Sequence, residues 1–371
     1  MIFNFCLVMV IIALYAIIYS TKRISKNIKS NLFLILSFSI IAILMSMRTY
    51  STGTDTNMYV HAFEKFSQYK WSSTIFGGYY EPLYVITNII ISYISYNPRI
   101  LIICTSLFIC YAFYRFIKDN SNNYLLSVLM FICLLFFYSA MNTIRQYLAI
   151  SIILLGFDFV KRKRFIPYVI TIVIAVLFHT SAFVGILIYP LYNMKYSKLR
   201  VIGIFVVAIL VNIFISDVVN QVYDLFNRTN YYSNRIGQEN ISNLIHIFVF
   251  LSMYIFSILL VKKSQNKNEK NDFYFYIFVV AAACSLIAMK MNVLSRISAY
   301  FSIFTIICLP NIITDNLKTE KNKLIIYYSI SIILLIYSSI IIYFRPEWNS
   351  AFRYKSCIVD DDNTTYIYDN F

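Results

Sequence analysis

The chain runs apolar, again and again, for about the length of a bilayer crossing. FCLVMVIIALYAIIY (5–19) and LIIYYSISIILLIYSSIIIYF (324–344) are two such runs, with others at intervals between them. Roughly 20 apolar residues wound as a helix match the ~30 Å hydrocarbon layer. With 60% of its 371 residues hydrophobic and 13% charged, a water-soluble domain would have to leave much of that surface facing water. The expected fold class is therefore all-α, a polytopic integral membrane protein. The first run ends at Tyr19 before a basic loop with no small-residue cleavage site, and reads as a span rather than a removed signal. Six of the seven cysteines lie inside apolar runs and Cys357 lies in the tail. They read as small core residues, and no metal and no cofactor is expected.

The net charge of +15 invites a nucleic-acid reading, but its distribution favours topology. Basic loops occur at 22–29, 115–118, 161–164 (KRKR), 195–200, 262–270 and 318–323, and nearly all the excess sits there. Placing all six in the cytoplasm starts the chain outside and gives about 12 transmembrane helices. They fall near 2–19, 31–47, 99–117, 124–140, 141–160, 165–178, 180–193, 201–216, 244–261, 273–289, 293–310 and 324–344. Residues 83–96 would be an extra crossing that puts a basic loop on the wrong side. Fourteen helical residues reach only about 21 Å, so a re-entrant segment dipping in from outside is expected; a thirteenth span is the alternative. Segments 165–178 and 180–193 are also short and read as a hairpin with His179 at its outer tip. Residues 1–344 thus form one membrane domain with external loops at 48–80 and 217–243, followed by an external tail, 345–371.

This path sends the scarce ionisable residues of the spans to one side. Arg48 ends the second span, and Asp55 and Glu81 follow in the loop beyond. Arg145 lies just inside a span entered from outside, beside Gln146, and His179 tops the hairpin. Arg296 follows the outer end of its span, one turn before Tyr300. Charge within a span is disfavoured and marks a cavity or pathway. Bland readings stand beside the functional ones: snorkelling arginines, a structural His179, and an Asp55 that merely turns or caps the chain. Arg228 and Arg235, among tyrosines, suit sugar or phosphate contact, or an interfacial aromatic belt. His61 and His246 read as structural.

Several arginines with a carboxylate or imidazole, open to the outside, suit a lipid pyrophosphate as leaving group. Guanidinium forks hold phosphate bidentately, and a neutral-pH base takes the proton of an attacking hydroxyl. A transporter would place polar groups at mid-bilayer with access to both faces.

Four motifs in order, R-T-Y-x-x-G-T-D-T-x-x-Y-x-x-x-F (48–63), N-x-I-R-Q-Y-L-A (142–149), F-H-T-S-A (178–182) and R-I-S-A-Y-F (296–301), make the chain resemble the EpsG/Wzy-type polymerases of bacterial O-antigen, capsule and exopolysaccharide. The resemblance covers most of the chain. It implies a fold related to the C-type membrane glycosyltransferases and a metal-independent glycosyl transfer at the periplasmic face of the bacterial inner membrane. An undecaprenyl-pyrophosphate-linked glycan would pass onto the sugar end of another lipid-linked repeat. Asp55, His179 and Arg145 become the expected catalytic residues; Arg48, Gln146, Arg296, Glu81, Tyr300 and Arg235 the expected substrate-binding ones. Implied partners are undecaprenyl-pyrophosphate-linked oligosaccharides, membrane lipids, a chain-length regulator and a flippase, with no nucleic acid. The alternatives are an O-antigen ligase, which carries a larger external loop, and a lipid-linked-oligosaccharide flippase, with charge spread through both halves.

Overall fold

A computed structural model of the chain describes residues 1–23, 25–71, 79–225, 241–264, 270–290, 294–346 and 350–359, without the side chains of 216–225. Among these residues it is helical, and its β-structure is one isolated bridge, Arg48 to Ser356. The helices are α1 Ile2–Ser20, α2 Lys26–Ser46, α3 Thr56–Gln68, α4 Pro82–Ser92, α5 Arg99–Asn120, α6 Tyr124–Cys133, α7 Phe136–Asn142, α8 Ile144–Lys161, α9 Phe165–Val176, α10 Ile188–Asn193, α11 Lys198–Leu225, α12 Ile241–Ser264, α13 Lys270–Ile287, α14 Ser295–Ser302, α15 Thr305–Asn316 and α16 Glu320–Phe344; a 3₁₀ helix, Thr180–Leu187, precedes α10.

Among the described residues, eight segments are long and apolar enough to cross a membrane, or nine if α6 and α7 are one span bent by 53°. The all-α polytopic fold is as expected; the count of twelve is not reached, and the shortfall has local causes. The expected span 124–140 is the bent pair, turned at Leu135, whose φ of 67° is left-handed. Span 141–160 is broken at Thr143 and continues as α8, which carries Arg145, Asp158 and Lys161. Segments 165–178 and 180–193 are too short as α-helix. They still connect the two ends of the molecule, because eight residues in 3₁₀ form rise about 2 Å each against 1.5 Å in an α-helix. The hairpin base is tied where Tyr189 donates to the Lys163 carbonyl, and its tip where Leu83 N–H donates to the Leu177 carbonyl.

Hydrogen bonds define the two ends. At the basic end Tyr114 donates to Asn31, Asn122 to Asp315 and Ser264 to Asn316, while Phe116 packs on Phe157 one turn before Lys161. These contacts gather loops that the charge pattern places together. The opposite end holds Arg48, Glu81, Arg145 and His179. Both flanks of α4 lie there, since Glu81 meets Arg145 and Arg99 donates to the Arg48 carbonyl. Residues 83–96 therefore do not cross, as their length requires.

Residues 350–357 fold back onto this end: Phe352 meets Tyr138 edge-on, Tyr354 stacks on Phe3 at 4.3 Å, and Lys355 and Met47 carbonyls accept from Thr49 and Cys357.

Helix α8 holds Arg145 at one end and touches the hairpin through Gly156. A Cβ there would come within 2.4 Å of Thr171 Cγ2 on α9, so the close approach needs glycine. Gly156→Ala is expected to destabilise the purified protein by about 1–3 kcal/mol, and adding Thr171→Ala to recover most of the loss. Thermal unfolding in detergent measures both; equal melting of all three proteins would show that the contact is slack.

Candidate functional site

Five helices start at one place. Asp55 is the N-cap of α3, Glu81 of α4, Thr143 of α8, His179 of the 3₁₀ helix and Leu294 of α14. Arg145 and Arg296 are each the second residue of their helix. The first N–H groups of a helix have no partner within it, and the aligned peptide dipoles add partial positive charge. Side chains and N-termini together thus favour an anion. Pro82 at the first helical position of α4 and the break at Thr143 set two of these starts locally.

Glu81 is the centre of the inner cluster. Its Oε2 pairs with Arg145 Nη1, and its Oε1 meets His179 Nδ1 at 3.2 Å, Thr180 N at 3.1 Å and Thr180 Oγ1 at 3.3 Å. Burial works against its charge, but the His179 hydrogen bond and the Arg145 charge outweigh it and hold the carboxyl down to about 2. An ionised Glu81 makes His179 Nδ1 the donor. In the neutral ring Nε2 then carries the lone pair.

Arg145 is buried, with its guanidinium among the rings of Tyr80 (4.9 Å), Tyr79 (5.0 Å), Tyr84 (5.9 Å) and Tyr59 (6.0 Å). The ring faces attract the cation, and burial keeps the Tyr59 hydroxyl protonated, pushed up to about 12 against the pull of Arg145. Arg145 Nε and the Tyr84 hydroxyl are buried without a hydrogen-bond partner among the described residues.

The outer cluster is open. The Arg296 side chain is 41% exposed and lies 3.9 Å from Asp55, itself 27% exposed. Gln146 donates to the Arg296 carbonyl at 2.6 Å, and Tyr300 and Ser181 hydroxyls are 3.2 Å apart. Asp55 does not cap α3 with its side chain, so the carboxylate stays at the mouth of the site.

The structure thus brings together Asp55, Glu81, Arg145, Gln146, His179, Arg296 and Tyr300. Two expected binding residues differ from expectation. Glu81 has both oxygens engaged by protein donors, so it orients its neighbours. Arg48 is 1% exposed and donates to the carbonyls of Met45 and Met141 and to Ser106; burial and the nearby Arg99 push it down to about 9, still cationic at neutral pH. It underlies the site rather than facing it. Arg235, like Arg228, lies outside the described residues. His61 pairs with Glu64 on the exposed side of α3, and His246 lies against Phe250.

Sequence reasoning picked out Tyr59 but missed the other three tyrosines around Arg145, the Thr180 anchors of Glu81 and the grip of Asn142 on residues 54–55. The tyrosine-dense YYEPLY (79–84) was the one available signal; the others depend on where helices begin.

A family model described as the EpsG family matches residues 31–356, a range that takes in every helix start forming the site. No curated protein and no solved structure matches the chain. The match runs from α2 to the returning tail, and the chain belongs to the EpsG family.

Proposed function

We propose that the protein is a polysaccharide polymerase of the bacterial inner membrane. It passes an undecaprenyl-pyrophosphate-linked glycan onto the sugar end of a second lipid-linked repeat, at the periplasmic face opposite its basic loops. Membership of the EpsG family supports the polymerase-type role. The observation that carries the reading is the pairing of a locked Arg145–Glu81–His179 cluster with an open Arg296–Asp55 pair where five helices begin.

In the reaction, an acceptor hydroxyl oxygen attacks the anomeric carbon of the donor. The bond from that carbon to the pyrophosphate oxygen breaks, and its electron pair leaves with the lipid pyrophosphate. The hydroxyl proton passes to His179 Nε2, whose ring Glu81 orients, or to Asp55 beside Arg296. Arg296, half-exposed, takes the pyrophosphate, and Arg145 with the helix N-termini stabilises the charge that grows on the leaving oxygen. Gln146 and Tyr300 hold the segment that carries Arg296 and do not touch the reacting atoms.

Two results test this. In a strain lacking the gene, plasmid-borne Arg296→Ala, at normal protein levels, and Arg145→Lys, which keeps a cation beside Glu81 but not the guanidinium fork, should yield single repeat units on the lipid core instead of a polysaccharide ladder. Wild-type ladders from both would overturn the assignment, and loss of even the single repeat would favour a flippase. Second, Glu81→Gln leaves a buried guanidinium without its counter-charge and should cost about 3–5 kcal/mol of stability. The sign is fixed by the depressed value: the ion pair contributes above the unfolded pKa of 4.5 and is lost as pH falls through about 2. Wild-type melting should therefore show no Glu81 dependence between roughly pH 5 and 8, and a Glu81→Gln protein that melts like wild type would contradict the burial argument.

A further inference from the structure

Asn142 meets Asp55 through its backbone and not its carboxylate, and its side chain has two partners on another element. Its Oδ1 accepts from Asp55 N at 3.1 Å and from Thr54 Oγ1 at 2.9 Å. The facing atom must be oxygen, because the Asp55 amide only donates. Asn142 is the last residue of α7, directly before the break at Thr143 (φ −106°, ψ 64°) from which α8 and Arg145 start. From the other side, Arg48 Nη2 donates to the Met141 carbonyl at 3.2 Å.

The turn it grips is shaped for the contact. Gly53 has φ +96°, and a Cβ there would lie 2.8 Å from Thr56 Oγ1 and 3.2 Å from Asn142 Oδ1. Only glycine lets the 53–55 backbone approach α7 this closely. One helical turn further along, Gln146 donates to the Arg296 carbonyl, and the Arg296 guanidinium returns to Asp55. The contacts close a circuit: Asp55 to Asn142, through the chain to Gln146, to Arg296, and back to Asp55. Arg145 sits on the segment that both amides anchor.

We propose that Asn142 is a positioning residue that fixes the Asp55 carboxylate relative to Arg296 and Arg145 across the helix break. This rests on the polymerase reading. Binding of the lipid pyrophosphate relies on the arginines, so loss of the tie should slow turnover and leave substrate affinity nearly intact. A shift of about 1 Å at a reacting group costs up to ~10²-fold in rate.

The test uses the purified full-length protein in lipid vesicles with lipid-linked repeat units extracted from the deletion strain. Asn142→Ala should lower kcat by about 10- to 100-fold with KM for the repeat unit changed less than about threefold. Thr54→Val, at an exposed position, removes one of the two Asn142 bonds, together with the Thr54 Oγ1 bond to Asp55 Oδ1 at 3.3 Å, without endangering the fold. It should lower kcat by a smaller factor, Thr54→Ser should restore it, and the Asn142→Ala/Thr54→Val double variant should be slower by less than the product of the two single effects, because the Thr54–Asn142 contact is lost in both. Wild-type kcat in Asn142→Ala, a matching rise in KM, or equal losses in Thr54→Ser and Thr54→Val would each overturn the role. Arg296→Ala run in parallel separates the two claims: if it also turns over like wild type, the polymerase reading fails, whereas its loss beside an unaffected Asn142→Ala refutes the positioning role alone.

Discussion

The contact on which the rest depends is the one between Glu81 and Arg145. A guanidinium as buried as Arg145 has lost most of its hydration, and the loss is tolerable only with an opposite charge and further polar or aromatic contacts in place. Glu81 supplies the charge, and four tyrosine rings the remainder. The carboxylate is itself anchored by Thr180 and His179. The pair therefore joins α4, α8 and the hairpin tip. Without it, three elements lose their common anchor and the imidazole loses the partner that fixes its tautomer.

Broken helices are what bring such groups together. Inside a hydrocarbon layer each interrupted helix leaves backbone groups that must find partners within the protein. Here Asn142 answers residues 54–55, Asn212 donates to the Leu286 carbonyl, and Asn243 to the Ala288 carbonyl. The breaks at Thr143 and ahead of α14 let Arg145 and Arg296 enter near the starts of helices. The α8 start is additionally steadied by Arg48 through Met141. An arginine expected to grip substrate thus acts one layer below, on the frame.

The membrane class, the segregation of charge to two ends and most of the site were legible in the sequence, because each follows from composition or from which loop a residue terminates. Residues 83–96 were readable as non-crossing from their length together with the basic loops that a crossing would put on the wrong side. The number of crossings was not, since it was counted from hydropathy with α-helical rise assumed for every segment, and the breaks at Leu135 and Thr143 leave no mark there. A 3₁₀ stretch such as 180–187 changes that arithmetic without any mark in hydropathy. Arg48 and Glu81 were placed at the right end but given the wrong surroundings. Position along the chain tells which side a residue reaches; burial and partners depend on side chains arriving from elsewhere, here Met141, Thr180 and the tail carbonyl of Lys355.

The two arginines at the heart of the site differ in a way that suits the proposed transfer from a lipid pyrophosphate. Arg145 is fixed by its counter-charge and cage, so its field is in place before any substrate arrives and needs no rearrangement during the reaction. Arg296 is half-exposed and only loosely paired with Asp55 at 3.9 Å. A pyrophosphate can displace that pairing, leaving the Asp55 carboxylate free to meet an incoming hydroxyl. In the proposed reaction, departure of the lipid pyrophosphate lets the pair re-form, so the cation that would bind the leaving group is also the one most easily released from it. Were Arg296 as deeply paired as Arg145, each product would leave slowly; were Arg145 as open as Arg296, the charge that grows in the transition state would meet a mobile, hydrated partner.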